Sequence, residues 1–283
     1  MVYMTEEELG WKPFVRTWIE QKYGDGFILN QAEKDHLMYL FEQFIDIGLE
    51  KIRTSLKEPI KTKDLQQVKG ICAYLESMIS YDKGFKGDEK QKKRDLECLF
   101  AFAYTWGMGA SLDAKGKDYF DTLVRDVFKS AQIPQNGTVF DYFYDLKKEK
   151  MFREWNTKVE PFVYEKTTPY FELIVPTAVT YAHKYCLDLL LSVEKPCFFT
   201  GDSGVGKSVI VNNTLSLLSQ RGEDNVMPIN INFSAQTSAA RTQDSMLAKM
   251  EKMRMHYQPP PQASRIAVFV DDINMPTPEE WGA

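Results

Sequence analysis

The sequence predicts a bundle of helices followed by an α/β domain whose parallel sheet is organised around a phosphate-binding loop. Three observations carry this reading. Apolar residues recur at helical spacing through about residue 130. Beyond residue 196, short apolar runs alternate with helix-length segments, the signature of a parallel sheet with crossover helices. The first of those runs leads directly into Gly201-Asp202-Ser203-Gly204-Val205-Gly206-Lys207-Ser208, which fits the phosphate-loop pattern.

Composition sets the outer bounds. At 283 residues the chain has the length of about two domains. Its 43% hydrophobic content against 27% charged residues is enough apolar surface to offset the ordering entropy that keeps polar chains disordered. Net charge is −5, which argues against a nucleic-acid-binding face, because such a face needs clustered Lys and Arg. Cys72, Cys98, Cys186 and Cys197 are widely spaced and form no Cys-x-x-Cys pair, so free thiols are expected rather than a zinc ribbon or a disulfide framework. The start of the chain lacks a signal-peptide pattern, and no apolar run approaches the roughly 18 residues of a membrane span. A soluble, intracellular chain is expected, with no membrane partner. The glycosylation-like triplets at Asn136, Asn212 and Asn232 are then accidental.

Residues 1–130 read as a helical domain. Asn30 and Glu33 form a capping-box pair, after which Leu37, Phe41, Phe44, Ile45, Gly48 and Ile52 lie on one stripe. A second helix is predicted from near Thr62, with Leu65, Val68, Cys72, Leu75 and Ile79 facing inward. The dense mix of Lys, Arg, Asp and Glu from Asp82 to Asp95 reads as a solvated loop. Helical spacing resumes at Leu96, Leu99, Phe100, Ala103 and Trp106, and again at Tyr119, Phe120, Leu123, Val124 and Val127. Residues 131–169 are aromatic-rich and Pro-punctuated, a connector with one or two short strands. Residues 170–283 form the phosphate-loop domain: a run Phe171–Val175, a helix containing Tyr181, Tyr185, Leu187, Leu189 and Leu190, then strands at Cys197–Thr200, Met227–Phe233 and Ile266–Val270.

The loop's residue types follow from its chemistry. Glycines let successive backbone N–H groups turn toward phosphate oxygens, and the start of the following helix adds its positive dipole end. Lys207 is placed to reach the β- and γ-phosphates, and Ser208 to ligate Mg²⁺. Ile266 to Val270 ends in Asp271 and Asp272, with Asp271 64 residues after Lys207, a gap that accommodates helix, strand and helix. Asp271 is expected to hold Mg²⁺ through its water shell, and Asp272 to orient the attacking water as the catalytic carboxylate. Other features carry less. His183 and Cys186 share a helix face at i, i+3 but lack further metal ligands. Gly107-Met108-Gly109-Ala110 follows no strand and is no dinucleotide fingerprint. Trp106 and Trp155 read as core anchors, and Leu65 to Ile79 is too short a repeat for a coiled coil.

Together, three motifs resemble the third AAA+ module of a dynein heavy chain, most closely the axonemal branch. They are the phosphate loop, Asn232-Phe233-Ser234-Ala235-Gln236-Thr237-Ser238 with Arg241-Thr242-Gln243, and Phe269-Val270-Asp271-Asp272-Ile273-Asn274-Met275-Pro276. Upstream, Met1 to Met4 with Leu9-Gly10-Trp11 and Pro13, Phe102 to Leu112, and Val139 to Tyr142 resemble the end of the second module and its helical small domain. The resemblance implies an incomplete P-loop AAA+ sheet domain preceded by a small helical domain, ATP and Mg²⁺ as cofactors, and Gly201 to Ser208 with Asp271 as the nucleotide site. Pro176 and Thr177 resemble the corner lining the adenine pocket. Asp272 stands where many AAA+ proteins carry Glu. The implied role is an ATP-binding segment of a microtubule motor of the cytoplasm, cytoskeleton and ciliary axoneme. Its implied partners are the other AAA+ modules of the ring, dynein intermediate and light chains indirectly, and microtubules only through parts outside this chain. The implied sheet order 5-1-4-3-2 puts the fourth strand after Ala283, so this stretch alone is expected to lack turnover. Two alternatives are an assembly fragment that does not turn ATP over and an unrelated P-loop kinase.

Overall fold

The computed structural model describes residues 9–23, 29–81, 85–162, 175–221, 226–252, 257–258 and 265–278. The motif at Met1 to Met4 and the run from Phe171 to Ile174 lie outside the described residues. The chain divides into two compact units, Met1–Cys197 and Phe198–Ala283.

The first unit is helical. α1 (Lys12–Tyr23), α2 (Gln31–Ser55), α3 (Asp64–Tyr81), α4 (Glu89–Gly109) and α5 (Ala114–Val127) are followed by an antiparallel hairpin of β1 (Tyr142–Tyr144) and β2 (Phe152–Glu154), and then by α6 (Ala178–Ser192). The predicted capping box opens α2: Glu33 N–H donates to Asn30 Oδ1 at 2.9 Å and Asn30 N–H donates to Glu33 Oε2 at 2.9 Å. The predicted stripe Leu37, Phe41, Ile45 and Ile52 is buried, and Phe41 meets Phe100 of α4 edge to face at 5.0 Å. Trp106 and Trp155 are core anchors as expected, with the Trp155 indole donating to the Phe140 carbonyl at 2.9 Å. α6 closes the unit against α3 and the turn at Trp155–Lys158. Tyr185 packs on Trp155 at 5.2 Å, and Ser77 and Ser192 share a 2.7 Å hydrogen bond.

The reading of Asp82 to Asp95 as a solvated loop is corrected from residue 89 onward. Asp88 caps α4 by accepting from Gln91 N–H at 2.8 Å, and Lys93 pairs with Glu89 one turn earlier at 3.0 Å. Asp95 is fully buried, and its carboxylate accepts from Gln91 (2.7 Å), Tyr144 (2.7 Å) and Lys150 (2.6 Å). The Asp95 charge is therefore met by protein partners, two of them on the hairpin, while Lys86, Asp88, Glu89, Lys90 and Arg94 stay exposed.

α3 and α4 approach closely enough that their glycines decide the packing. A Cβ added to Gly107 would meet the Ile71 amide nitrogen at 2.8 Å, whereas one added to Gly70 would meet nothing closer than 3.5 Å. Gly107→Ala is expected to cost about 1–3 kcal/mol through overpacking against an immovable backbone. Gly70→Ala should be neutral or stabilising, because the helix-propensity gain of about 1 kcal/mol meets no clash. Urea melts of the two variants check this, and equal midpoints would contradict it.

The second unit holds α7 (Lys207–Arg221), β3 (Val226–Asn232), α8 (Ala239–Leu247), the two-residue strands β4 (Glu251–Lys252) and β5 (Tyr257–Gln258), and β6 (Arg265–Asp271). β3 and β6 run parallel, in register from Val226↔Arg265 to Asn232↔Asp271, which is the predicted parallel pairing. Pro228 lacks an N–H, and β3 accordingly has a neighbour on one side only among the described residues. α7 packs on both strands, with Val211, Thr214 and Leu215 buried. The predicted strand at Cys197–Thr200 is corrected: those residues lie outside any strand, and Phe198 is 63% exposed. An apolar run becomes a strand only when a neighbour satisfies its backbone groups, and no described strand does so here. β4 and β5 pair antiparallel, with Glu251 opposite Gln258 and Lys252 opposite Tyr257, a pairing that the sequence reading did not include.

Candidate functional site

The phosphate loop keeps the geometry its glycines imply. Gly201, Gly204 and Gly206 have φ of 153°, 79° and 87°, a region costly for any residue with a Cβ. Space is not the constraint at Gly204 or Gly206, since an added Cβ would meet nothing within 4 Å. The backbone there is bare on its open side, as a cradle for a polyatomic anion must be. Asp202, Ser203 and Val205 complete the exposed loop. α7 then begins at Lys207, and its first turn closes with Ile210 N–H donating to the Gly206 carbonyl at 3.0 Å. Lys207 Nζ donates to the carbonyls of Gly201 (2.9 Å) and Asp202 (2.7 Å). An ammonium has three donors, so this bracing leaves one for a ligand at the mouth of the loop. Ser208 follows on the same helical turn.

Asp271 is the last residue of β6, and its carbonyl accepts from Phe233 N–H at 3.0 Å. Its carboxylate oxygen Oδ1 accepts from Asp272 N–H at 3.1 Å. Asp272 has φ +53°, and its carbonyl accepts from Met275 N–H at 2.9 Å, so the chain turns immediately after the strand. The segment after β3 is tied to the segment after β6 by Thr277 Oγ1, which donates to the Ala235 carbonyl at 3.2 Å. Two of the three motifs singled out in the sequence thus converge at the carboxyl ends of two parallel strands, where open α/β sheets place their ligands. The third, the loop, is joined to them through α7, which packs on both strands and whose Asn212 Oδ1 accepts from Asn230 of β3 at 2.8 Å.

Sequence reasoning did not find the left-handed backbone at Asp272 or the Asn212–Asn230 tie. The first had one available signal, an Asp directly after an apolar run, since Asp tolerates that conformation better than most residues. The second had none, because the two side chains meet only once helix and strand are packed. Pro176 and Thr177 belong to the first unit, where Thr177 caps α6 by accepting from Thr180 N–H at 3.2 Å. The His183 ring nitrogen Nδ1 hydrogen-bonds the Val179 carbonyl at 2.8 Å, and the described residues contain no group of three metal-capable side chains. Burial holds the His183 imidazole below its ordinary pKa. No helix is long and apolar enough to cross a membrane among the described residues.

Comparison with known proteins finds relatives of both parts of the chain. Residues 162–283 match the family model for the P-loop containing dynein motor region, and residues 37–157 match that for the dynein heavy chain AAA lid domain. Across its whole length the chain is 34% identical to dynein axonemal heavy chain 6 of Homo sapiens. It is 28% identical to the dynein-1-beta heavy chain of the flagellar inner arm I1 complex of Chlamydomonas reinhardtii, and 30% identical to the ciliary dynein beta chain of Tripneustes gratilla. The chain spans only 6 to 7% of the length of these relatives. With a helical lid match and a P-loop motor match in that order, and this chain aligned over its whole length to a short stretch of axonemal heavy chains, the chain belongs to the dynein heavy-chain family.

Proposed function

We propose that the second unit binds Mg²⁺-ATP at the phosphate loop, as an AAA+ segment of an axonemal dynein motor in which nucleotide binding or hydrolysis is coupled to ciliary movement. The observation that carries this reading is the loop itself: three glycines with positive φ, two of them with open space beside them, run into the start of a 15-residue helix with Lys207 braced across the loop. These residues fit a polyphosphate, because a glycine backbone with room beside Gly204 and Gly206, a helix start and an ammonium occur together in one loop. Gly201 to Gly206 would hold the phosphates, Lys207 the β- and γ-phosphates, and Ser208 and Asp271 the Mg²⁺. Bound Mg²⁺ would supply charge neutralisation at the phosphates.

Residues 1–130 are proposed as the helical small domain of the preceding module, 131–169 as a connector, and 170–283 as the first part of the P-loop domain. Other AAA+ modules of the ring are the direct partners. Intermediate and light chains, and microtubules, are engaged through other parts of such a motor in the cytoplasm and axoneme. A second reading, binding without turnover, is favoured by one observation. The position of the water-orienting carboxylate holds Asp272, one methylene shorter than Glu, and a misplacement of about 1 Å can cost roughly a hundredfold in rate.

Asp271→Asn is expected to weaken Mg²⁺-dependent ATP binding, while Asp272→Asn leaves binding in place and slows any turnover. Fluorescent-nucleotide titration with Mg²⁺ or EDTA, together with single-turnover phosphate release, checks both. The reverse pattern would show that the two carboxylates have exchanged roles.

A further inference from the structure

We propose that Asp272 is a positioning residue whose left-handed backbone, rather than its carboxylate, keeps the Asp271 side chain aimed for Mg²⁺; this rests on the nucleotide-binding reading above. The peptide unit joining residues 271 and 272 is held at both of its polar ends. Its carbonyl accepts from Phe233 N–H at 3.0 Å, and its N–H donates to Asp271 Oδ1 at 3.1 Å. One carboxylate oxygen of Asp271 is thereby committed to its neighbour's amide, which fixes the side-chain torsion and leaves the second oxygen for the metal's water shell.

On the far side the chain closes a turn, with the Asp272 carbonyl accepting from Met275 N–H at 2.9 Å. Only φ and ψ of residue 272 connect the held peptide to the closed turn, and φ is +53°. A residue that leaves this region must either open the turn or rotate the 271–272 peptide away from Asp271 Oδ1. Within the turn, the side chains of Ile273 and Met275 are about half exposed. Among the described residues no hydrogen bond or ion pair reaches the Asp272 carboxylate, so the feature specific to this position is the backbone. Asn and Gly share Asp's tolerance for positive φ, Glu tolerates it less, and β-branched residues are excluded by sterics.

The test is a graded series at one position: Asp272→Asn, Asp272→Gly, Asp272→Glu and Asp272→Val in the 283-residue chain. The first readout is fluorescent-ATP affinity in Mg²⁺ relative to EDTA. The second, independent of any ligand, is hydrogen exchange at the Asp272 and Met275 amides. Asn and Gly should keep the wild-type Mg²⁺ dependence and protection. Val should lose about tenfold or more of the Mg²⁺-dependent gain, as expected from the steric cost of the left-handed region, with Glu in between. Should Val fail to fold, Glu decides, and a wild-type Mg²⁺ dependence and protection in Glu would overturn the proposal. A Val variant that matches Asn in both readouts overturns it, as does an equal loss in Asn, Gly and Val, which would assign the role to the carboxylate. If wild type gains nothing from Mg²⁺, the nucleotide reading fails, and exchange at the two amides still decides whether the backbone at 272 holds the turn.

Discussion

Asp95→Ala is expected to lower the unfolding free energy of the first compact unit by about 3 kcal/mol, one of the two largest effects anticipated here. The size follows from what the substitution leaves behind. Gln91, Tyr144 and Lys150 all lose their acceptor, and the Tyr144 hydroxyl is in the interior, where burial and then the Asp95 carboxylate push it far above its ordinary pKa and keep it a donor. An orphaned buried donor costs about 1–3 kcal/mol, and the cavity adds to it. Lys150 softens the loss, because it still donates to the Lys86 carbonyl at 2.6 Å and its side chain is 26% exposed. Asp95→Asn, which retains an acceptor, should cost less. Tryptophan fluorescence during urea unfolding reports on this unit, since Trp11, Trp18, Trp106 and Trp155 lie within it and only Trp281 lies outside. A midpoint unchanged by Asp95→Ala would mean that the hairpin is not tied to α4 by this carboxylate.

The same residue shows where sequence reading stops. The Asn30–Glu33 cap was legible because both partners lie within one helical turn and the pattern is local. The stripe from Leu37 to Ile52 was legible because burial follows the 3.6-residue period. Asp95 was not, because the groups that make its burial tolerable are 49 and 55 residues away, and a run of charges without its partners looks like a solvated surface. The strand at Cys197–Thr200 failed for a related reason: its apolar character is local, but pairing depends on a neighbour. At the candidate site, spacing and residue type marked out the loop motif and the strand that ends at Asp271, and the alternation of apolar runs with helix-length segments marked out a parallel sheet. The turn at Asp272 and the Asn212–Asn230 tie could not, because a single torsion angle and a contact between packed elements leave no periodic mark on the chain.

Lys207→Ala is the second large effect, and it bears on the central claim that the second unit is a nucleotide site. Lys207 braces the loop through the carbonyls of Gly201 and Asp202 and keeps one donor for a phosphate, so its removal takes away both a charge-assisted hydrogen bond and the brace. A hydrogen bond to a charged group contributes about 1.5–3 kcal/mol, which corresponds to roughly tenfold to hundredfold in affinity. Gly206→Val should act in the same direction by a different route, since φ of 87° is closed to a β-branched residue. The most direct measurement is the titration of wild type and Lys207→Ala with fluorescent ATP in Mg²⁺. Saturable binding by wild type that weakens at least tenfold in the variant is the expected result, whereas no saturable binding by wild type, or equal affinity in the two proteins, would contradict the assignment of the loop.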